Sequence, residues 1–328
     1  MNWKVKGLGQ TALSLLPGGA QMNYWGQKLI TRAHSNLGPI VENRVEKARW
    51  FKRQFVEHCQ GNDLSRAQFY EFGAGWNLAG PLALYCLGAN RQIVIDITRC
   101  ARLDLVNRVI AELEHYAGKV PRRPGTPLLA LKELESRLGI AYHAPADTYR
   151  TGLADNSVDC ITNTFTLEHI PTTDVRGLLR ECKRVLKPGG LLLSMIDYQD
   201  HYSYRDARMS VYNFLQYSER EWKWFNSALH YQNRLRHCQY RQMFAEAGFE
   251  TILEELQGPA PGDVDCLKSM RVSAEFRQFS FDDLTVRGSQ MVCRRPVGPA
   301  QLVTSREGAM AGQTGYARGA ITNGAVAH

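Results

Sequence analysis

Short apolar runs alternate with longer amphipathic stretches over most of this chain. Runs rich in β-branched and aromatic residues predict strands, and stretches with apolar positions three and four apart predict helices. Strands that alternate with helices indicate a parallel sheet with helices on both faces. The predicted strands, in chain order, are AQFYEF, RQIVIDIT, SVDCITNTF, LLLSMID, FETILEEL and SQMVCRR.

The predicted helices fill the intervals between these strands, and one precedes the first strand. In that first helix, residues 40–59, the side chains of Val41, Val45 and Phe55 lie near one face, which predicts that this face is buried. The other predicted helices are residues 77–87, residues 101–115, VRGLLRECKRVL and NRLRHCQYRQMFAEAGF.

The pattern divides the chain into three parts. Residues 1–60 are predicted to be an N-terminal helical extension, and residues 61–295 an α/β domain. Residues 296–328 are rich in Gly and Ala with little to bury, which predicts a disordered tail. Residues 112–140 and 197–233 are longer than the alternation requires and are interpreted as insertions. Because such excursions often grip a substrate, the second one, which is aromatic, is expected to cap an acceptor pocket.

Composition and charge narrow the class of protein. Of 328 residues, 44% are hydrophobic and 22% charged, which is ordinary for a soluble globular protein. The net charge of +8 is uneven, because residues 1–60 hold nine basic and three acidic residues. Such a segment suits a membrane surface, an anionic substrate or nucleic acid, and a solvated helix face is the alternative. Peripheral contact with a membrane through residues 1–60 therefore stays open.

The cysteines and the apolar segments indicate the compartment of the protein and whether it has a metal site. The eight cysteines are scattered, without a CxxC pair or a His/Cys cluster at zinc-ligand spacing. We therefore expect reduced thiols and no metal site. The uncharged segment between Lys6 and Lys28 contains Pro17, and its apolar part, ALSLL, is too short for a membrane span or a signal peptide. A cytoplasmic protein is expected.

The stretch FYEFGAGWNLAG connects the first predicted strand to a helix. It places Glu71 at the end of the strand, and Gly73 and Gly75 let a ligand lie against backbone N–H groups at the helix N-terminus. Asp96 ends the next strand, 21 residues after Gly75. A carboxylate at that place can accept hydrogen bonds from two ribose hydroxyls. The layout is that of a nucleotide-type site.

Four blocks, EFGAGW, VIDI, ADNSVDCITNTFTLEHI and LLRECKRVLKPGGLLLSMID, resemble the class I S-adenosylmethionine-dependent methyltransferases in order and spacing. The resemblance covers roughly residues 66–200. More narrowly, GWNLAGPLALYCLGA, IDITR and IDYQDHYSY are similar to uncharacterised bacterial methyltransferases of the type 11 kind, from polysaccharide or secondary-metabolite clusters. The resemblance implies a Rossmann-like, seven-stranded, mostly parallel sheet and S-adenosylmethionine as cofactor.

The resemblance also assigns donor-binding positions. It implies that Asp96 holds the ribose hydroxyls and that Asp147 meets the adenine amino group. A sulfonium is a soft cation, so the ring of Phe165 or Trp76 can offer it a π face, with core packing as the alternative for either ring. The implied cofactor-binding residues are Glu71, Gly73, Gly75, Trp76, Asp96, Asp147, Thr148, Asn163, Thr164 and Phe165.

Transfer of a methyl group to a hydroxyl oxygen gains from a nearby base that takes the proton. His169, in LEHI after the predicted strand SVDCITNTF, is one candidate. The loop IDYQDHYSYRD holds the other, His201, with Asp197 or Asp200 to orient its ring. The alternative is a polar loop that only hydrogen-bonds its own turn. We expect O-methylation of a small molecule or a glycan.

Four further side chains are candidates for contact with the acceptor. Tyr198 and Tyr202 lie in the same loop as His201. Arg234 and Arg236 could clamp a carboxylate or phosphate, since guanidinium groups pair with both bidentately. Solvated arginines near a helix N-terminus are the alternative.

Two other functions stay open. A nucleic-acid methyltransferase is disfavoured because NTFTLEH lacks the prolines of base-methylating motifs, and no stripe of basic and aromatic residues is present. We expect no nucleic-acid partner. The second alternative is a catalytically silent interaction protein, which would bind the donor without turnover.

Overall fold

Seven strands form one sheet in the part of the chain that the structure, a computed structural model, describes: residues 3–14, 16, 37–59, 63–116, 119–206 and 208–298. The strands are β1 (Gln68–Phe72), β2 (Arg91–Ile95), β3 (Ile140–His143), β4 (Val158–Thr164), β5 (Leu186–Asp197), β6 (Glu250–Gln257) and β7 (Gly288–Arg294). All six predicted strands are present, and β3 is an additional short edge strand.

The strand order is β3-β2-β1-β4-β5-β7-β6. β1 pairs in parallel with β2 and β4, and the parallel pairing continues to β3 on one side and β5 on the other. β7 runs antiparallel to both of its neighbours. The order reverses between β1 and β4, which is where ligands bind in open α/β sheets. The predicted Rossmann-like, mostly parallel seven-stranded sheet is confirmed.

Helices cover both faces of the sheet. They are α1 (Trp3–Ser14), α2 (Gly38–His58), α3 (Ala79–Cys86), α4 (Leu103–His115), α5 (Glu133–Leu138), α6 (Thr172–Val185), α7 (Glu219–Trp222), α8 (His237–Glu246), α9 (Asp263–Ser269) and α10 (Phe281–Thr285). One short 3₁₀ turn, Leu167–His169, matters for the site because it follows β4 directly.

The alternation of side chains along the strands divides the core between the two faces. In β1, Phe69 packs with the cluster formed by α2, α3 and α4, while Tyr70 and Phe72 pack with the cluster formed by α6 and α8. Successive side chains of a strand point to opposite faces, so a strand covered on both sides is buried throughout. Every residue of β4 is buried for this reason, including its polar residues Asp159 and Asn163.

The helix predicted at residues 40–59 is α2, and its predicted face is buried. Val41, Val45 and Phe55 are at most 1% exposed and belong to the main core. α2 therefore packs on the domain through its apolar face, although the division of the chain at residue 60 had set it apart as an extension.

The two predicted insertions have different structures. The end of residues 112–140 forms α5, whose Leu134 and Leu138 are buried in the core and lead directly into β3. That part of the segment therefore belongs to the sheet domain. Residues 197–233 contain 3₁₀ turns and α7, and their large aromatic side chains form a separate hydrophobic cluster on which Trp3 of α1 packs.

Two expectations concern the ends of the chain and the membrane. The predicted tail falls outside the described residues apart from its first three positions, 296–298. Within the described ranges, none of the helices combines the length and the apolar character needed to cross a membrane.

Candidate functional site

The loop after β1 carries two glycines in a backbone conformation that other residues rarely adopt. φ is +73° at Gly73 and +76° at Gly75. A Cβ atom on Gly73 would lie 2.3 Å from Cγ2 of Thr166, whereas nothing lies within 4 Å of the Cβ position at Gly75. The first glycine is therefore required by its neighbour, and the second leaves bare backbone beside open space.

Asp96 follows β2 directly, and its carboxylate lies against this glycine loop. The side chain is 4% exposed and is hydrogen-bonded by the backbone N–H groups of Ala74 and Gly75. The hydroxyl of Tyr142 and, at 3.4 Å, the Sγ of Cys100 also donate to it. Burial raises the pKa of Asp96, and these donors oppose the rise. The loop and the carboxylate thus form one connected unit.

A cavity of about 280 Å³ opens beside the ends of β1, β2 and β4. We call it the glycine-loop groove. Its lining brings together Gly73, Gly75, Asp96, Thr148 and His169, residues that the sequence predicted from four separate segments. The open space at the Cβ position of Gly75 and the carboxylate beside it fit a ribose-bearing ligand in this groove.

Three other predicted cofactor residues are placed differently. Asp147 is exposed, and its Oδ1 accepts the N–H of Tyr149 at 2.7 Å, so the groove is lined by its two successors in the chain. Asn163 is fully buried in β4 and donates from Nδ2 to Oγ of Ser194 at 2.7 Å. Trp76 is half-buried in the glycine loop and is not among the groove's lining residues.

Glu71, in β1, is 8% exposed and lies beneath α3. Its Oε1 would be 3.1 Å from a Cβ atom on Gly80, and Oγ1 of Thr162 donates to its Oε2 at 3.5 Å. Burial raises the pKa of Glu71 to about 7, and the positive charge of Arg44 opposes that rise. The carboxyl group is therefore poised to titrate near neutral pH.

Two basic residues of α2 point toward the same edge of the sheet, and the sequence interpretation missed both. Arg44, Lys47 and Glu71 line one small cavity. Burial lowers the pKa of Arg44, against the attraction of nearby carboxylates, and burial together with the charge of Arg44 lowers the pKa of Lys47 to about 8. The available signal was their spacing on the helix. Arg44 lies three residues after Val41 and four before Ala48, and Lys47 lies three before Trp50 and four before Phe51, all of them buried positions.

Phe165 follows β4 and adopts φ of +56°, which is uncommon for a residue with a side chain. Its ring is 37% exposed, and Nζ of Lys47 lies 4.0 Å from the ring centroid. A second cavity of about 240 Å³ is lined by Lys47, Phe165, Met195 and residues of β6 and β7. We call it the Lys47 cavity. The predicted aromatic thus lies at the carboxyl end of β4, next to a cation.

The two predicted histidines come together although they are 32 residues apart. The ring centroids of His169 and His201 are 4.9 Å apart. Nδ1 of His169 lies 2.7 Å from the carbonyl oxygen of Tyr231. A carbonyl only accepts, so Nδ1 carries the proton and Nε2 of neutral His169 has a free lone pair. His169 also lines the glycine-loop groove.

Glu168 joins these histidines, and the sequence interpretation did not select it. Its side chain is 1% exposed, and within the described part of the chain no side chain donates to its carboxylate, although the backbone N–H groups of Glu168 itself and of Asp197 approach it. Burial raises the pKa of Glu168 well above its usual range. One ligand atom from each of Glu168, His169 and His201 lies within 4.8 Å of the others.

Of the two acids expected to orient His201, Asp197 is the one that reaches it. Its Oδ2 is 3.4 Å from Nε2 of His201, and the hydroxyl of Tyr204 also donates to this carboxylate. The ring of Tyr204 stacks on His201 with a centroid distance of 5.3 Å. Asp200 is fully buried and instead accepts the N–H of Tyr202 and the side-chain amide of Asn213, each at 2.8 Å.

The predicted acceptor tyrosines are buried. Tyr198 is 1% exposed, and its hydroxyl bonds to Oγ of Ser289 at 2.6 Å and Nδ1 of His237 at 3.2 Å. Tyr202 is 3% exposed and donates to the carbonyl oxygen of Phe225 at 2.6 Å. Neither ring lines the glycine-loop groove or the Lys47 cavity.

The two arginines predicted to bind the acceptor are buried, and their guanidinium groups donate hydrogen bonds within the protein. Arg234 is 5% exposed and donates to the carbonyl oxygen of Tyr217 at 2.6 Å and to Glu219 at 2.7 Å. Arg236 is fully buried and donates to the carbonyl oxygens of Tyr198 and Val286, at 2.9 and 2.6 Å. Both guanidinium groups already donate hydrogen bonds within the protein, because the segment before α8 runs through the interior. Neither arginine is assigned to the acceptor site.

Comparison with known proteins gives one family match. Residues 127–194, which include β3, β4 and most of β5, match the methyltransferase domain family. None of the curated proteins matches the chain. The match begins within the segment that the sequence interpretation treated as an insertion, in agreement with the packing of α5 and β3.

Several solved structures have a similar fold at low identity. Geranyl diphosphate C-methyltransferase from Streptomyces coelicolor A3(2), solved with Mg²⁺, geranyl diphosphate and S-adenosyl-L-homocysteine, is 14% identical, with 76% of this chain and 78% of that chain covered and a TM-score of 0.45. The [4+2]-cyclase SpnF is 15% identical, with coverage of 76% and 82% and a TM-score of 0.42. At this level the similarity carries no inference about the reaction.

Proposed function

We propose an O-methylation reaction for this chain, which is a class I S-adenosylmethionine-dependent methyltransferase by its domain match, its sheet order and its glycine loop. The acceptor is a hydroxyl group of a small molecule or of a sugar unit in a glycan. One observation carries the choice of oxygen: the imidazoles of His169 and His201 lie side by side at the carboxyl ends of β4 and β5.

The donor supplies an electrophilic methyl group on a sulfonium, and transfer forms a C–O bond, breaks the C–S bond and leaves S-adenosylhomocysteine. The chain's part is to hold donor and acceptor in line and to exclude water. In the proposal, bare backbone at Gly75 receives the donor, Asp96 binds its ribose hydroxyls, and the Glu71 side binds its methionine end. Thr148 lines the adenine part of the groove.

The hydroxyl proton leaves through the imidazole pair. Nε2 of His169 has a free lone pair because Nδ1 is bonded to the carbonyl of Tyr231, and His169 borders the groove itself. His201 lies behind it, held by Asp197 and stacked on Tyr204. His169 is therefore the more direct base, and His201 a positioning residue or second base.

The Lys47 cavity is where the acceptor binds. Its volume of about 240 Å³ lies below the roughly 300 to 1,000 Å³ of pockets for drug-sized ligands, so it has room for no more than a small ring system or a single sugar unit. Phe165 offers an aromatic surface and Lys47 a cation beside it. Arg44 and Lys47 are turned toward the site, so two of the basic residues in residues 1–60 have a place inside the protein. Contact with a membrane is no part of this proposal.

Product identification tests the proposal. The protein is incubated with S-adenosylmethionine carrying an isotope-labelled methyl group and with panels of phenols, sugars, amines and nucleic acids, and the labelled atom is located by mass spectrometry and NMR. We expect label on oxygen. Label on nitrogen, carbon or nucleic acid would contradict O-methylation, and donor binding without turnover against every panel would favour a silent interaction protein.

Two histidine variants test whether His169 takes the proton of the acceptor hydroxyl. We expect His169→Gln to lower kcat by about 10²-fold or more, the usual contribution of a general base, while the Kd for the donor stays the same. His115→Gln, on the exposed end of α4, is the matched control and should leave kcat unchanged. Equal activity of His169→Gln and the wild type would remove His169 from the reaction.

A further inference from the structure

We propose that Glu168, His169 and His201 bind a divalent transition metal ion between the loops after β4 and β5, where His169 borders the glycine-loop groove. The inference rests on the proposed O-methylation and deepens it: the acceptor's hydroxyl oxygen becomes a further ligand of the ion. From the sequence we expected no metal site, because these ligands come from two loops without a spacing motif.

The three side chains have the chemistry and the placement of a ligand set. Glu168 and His169 are adjacent in the 3₁₀ turn after β4, and His201 enters from the loop after β5. One ligand atom from each lies within 4.8 Å of the others. Metal–ligand bonds of about 2.0 to 2.2 Å keep ligand atoms within about 4.4 Å of one another, so small rotations of the side chains complete the site.

The independent observation is the carboxylate of Glu168. It is 1% exposed, and within the described ranges no side chain donates to it, although the backbone N–H groups of Glu168 itself and of Asp197 approach it. A buried carboxylate with so few donors is costly, because little replaces the water it gave up. Arg44 acts on it through its charge, but the two groups form no described ion pair or hydrogen bond. A bound cation would supply the missing partner.

The surrounding contacts orient the two rings as the outer partners of metal-binding histidines do. Nδ1 of His169 bonds to the carbonyl of Tyr231, which directs Nε2 away from that bond and fixes its lone pair. The ring of His201 is held between Tyr204 and the carboxylate of Asp197. A ring nitrogen paired with a carbonyl or carboxylate is the usual outer-shell arrangement of a metal-binding imidazole.

The ligand types select the class of ion. Two imidazoles and one carboxylate suit Zn²⁺, Mn²⁺ or Fe²⁺, whereas Mg²⁺ and Ca²⁺ prefer oxygen ligands alone. Three protein ligands leave coordination positions open for a hydroxyl. An ion there would lower the pKa of the hydroxyl that it binds, so the hydroxyl proton passes to bulk water before the C–O bond forms. With the ion bound, Nε2 of His169 is a ligand, and its role as a base applies to the metal-free protein.

Metal binding is measured directly, without activity. Full-length protein with its affinity tag removed is treated with a chelator and titrated by calorimetry with ZnCl₂, MnCl₂ and MgCl₂, and bound metal is counted by elemental analysis. We expect one equivalent of Zn²⁺ or Mn²⁺ with Kd below about 10 μM and much weaker Mg²⁺ binding. Co²⁺ should give visible absorption bands that report nitrogen ligation.

Variants assign the site. Glu168→Gln, His169→Gln and His201→Gln should each weaken metal binding at least about tenfold, while His115→Gln binds as the wild type does. Any variant that fails to fold is replaced by the other two, since each removes one ligand. Metal affinity that is equal in all four proteins, or absent up to millimolar metal, overturns the proposal.

The outcomes separate this site from the proposed function. If chelated protein transfers methyl groups to oxygen with unchanged kcat, the metal proposal fails and O-methylation stands with the imidazoles as bases. If one equivalent of metal binds at these residues but the label goes to nitrogen or carbon, the site stands and the proposed function fails. Metal-dependent O-methylation, restored by Zn²⁺ or Mn²⁺, supports both.

Discussion

Substituting Gly73 by alanine tests the packing of the glycine loop against the loop after β4. The new Cβ atom would lie 2.3 Å from Cγ2 and 2.7 Å from Oγ1 of Thr166, where ordinary carbon contacts are about 3.5 to 4.0 Å. One of the two loops must therefore move by more than about 1 Å. Overpacking of this kind typically costs about 1 to 3 kcal/mol.

Gly75→Ala is the matched control for the backbone contribution. Both glycines have positive φ, and a left-handed conformation costs an alanine about 1 to 2 kcal/mol in either place. Nothing lies within 4 Å of the Cβ position at Gly75, so the steric contribution is absent there. We expect Gly73→Ala to lower the free energy of unfolding by about 2 to 5 kcal/mol and Gly75→Ala by about 1 to 2 kcal/mol.

The assay is urea unfolding without donor, combined with a double-mutant cycle. Thr166→Ala removes Cγ2 and Oγ1 and leaves only its Cβ, 3.1 Å from the new atom. The pair Gly73→Ala with Thr166→Ala should therefore recover about 1 to 3 kcal/mol relative to the sum of the single variants. Equal losses at Gly73 and Gly75, or a coupling energy near zero, would refute the reasoning.

Two other predictions concern the carboxyl groups of the site. Asp96→Asn should weaken donor binding more than about tenfold, or about 1.4 kcal/mol, while the protein stays folded. The free energy of unfolding should fall by about 1 to 3 kcal/mol, because one of the two oxygens that accept hydrogen bonds in the glycine loop becomes an amide NH₂. Calorimetry checks the affinity against exposed Asp265→Asn, and unchanged affinity would remove Asp96 from the donor site. For Glu71, burial raises the pKa to about 7 in the folded protein, above its unfolded value. The stability it contributes is therefore complete below about pH 4.5 and is lost as pH rises through about 7. Urea unfolding from pH 5 to 8 should show wild-type stability falling by about 3 kcal/mol relative to Glu71→Gln, and parallel pH profiles would contradict this.

The sheet and its helices could be predicted because their signals are local. The β-branched residues of VDCITNT predict β4, and α2 shows its buried face as a repeat of Val41, Val45 and Phe55. The edge strand β3 was not predicted, because its four residues, IAYH, are too few to show a strand pattern. Its place is set by pairing with β2.

The sequence could place site residues together only where a local strand–turn–helix pattern determines their positions. Gly73, Gly75 and Asp96 stand at the ends of two neighbouring strands, and a strand–turn–helix pattern is enough to bring them together. A sequence does not show which element lies opposite. The approach of Arg44 to Glu71, and of Glu168 to His201, depends on how α2 and the loop after β5 fold back over the sheet edge.

Because a sequence does not show which element lies opposite, the burial of Arg234 and Arg236 was not predicted either. Arg236 resembles a solvent-facing cation in the sequence, since NRLRH is polar and precedes a helix. In the structure its donors meet backbone carbonyls of the segments before and after it. Unpaired carbonyls in loops are invisible to residue patterns, although each needs a donor when it is buried.

The position of α2 separates the two cavities of the candidate site. The glycine-loop groove is lined without any residue of α2, whereas Lys47 of α2 borders the Lys47 cavity. Under the proposed function, a substitution at Lys47 therefore changes the acceptor cavity and leaves the donor groove intact. Removal of the whole helix is a different perturbation, because Val41, Val45 and Phe55 leave the main core with it.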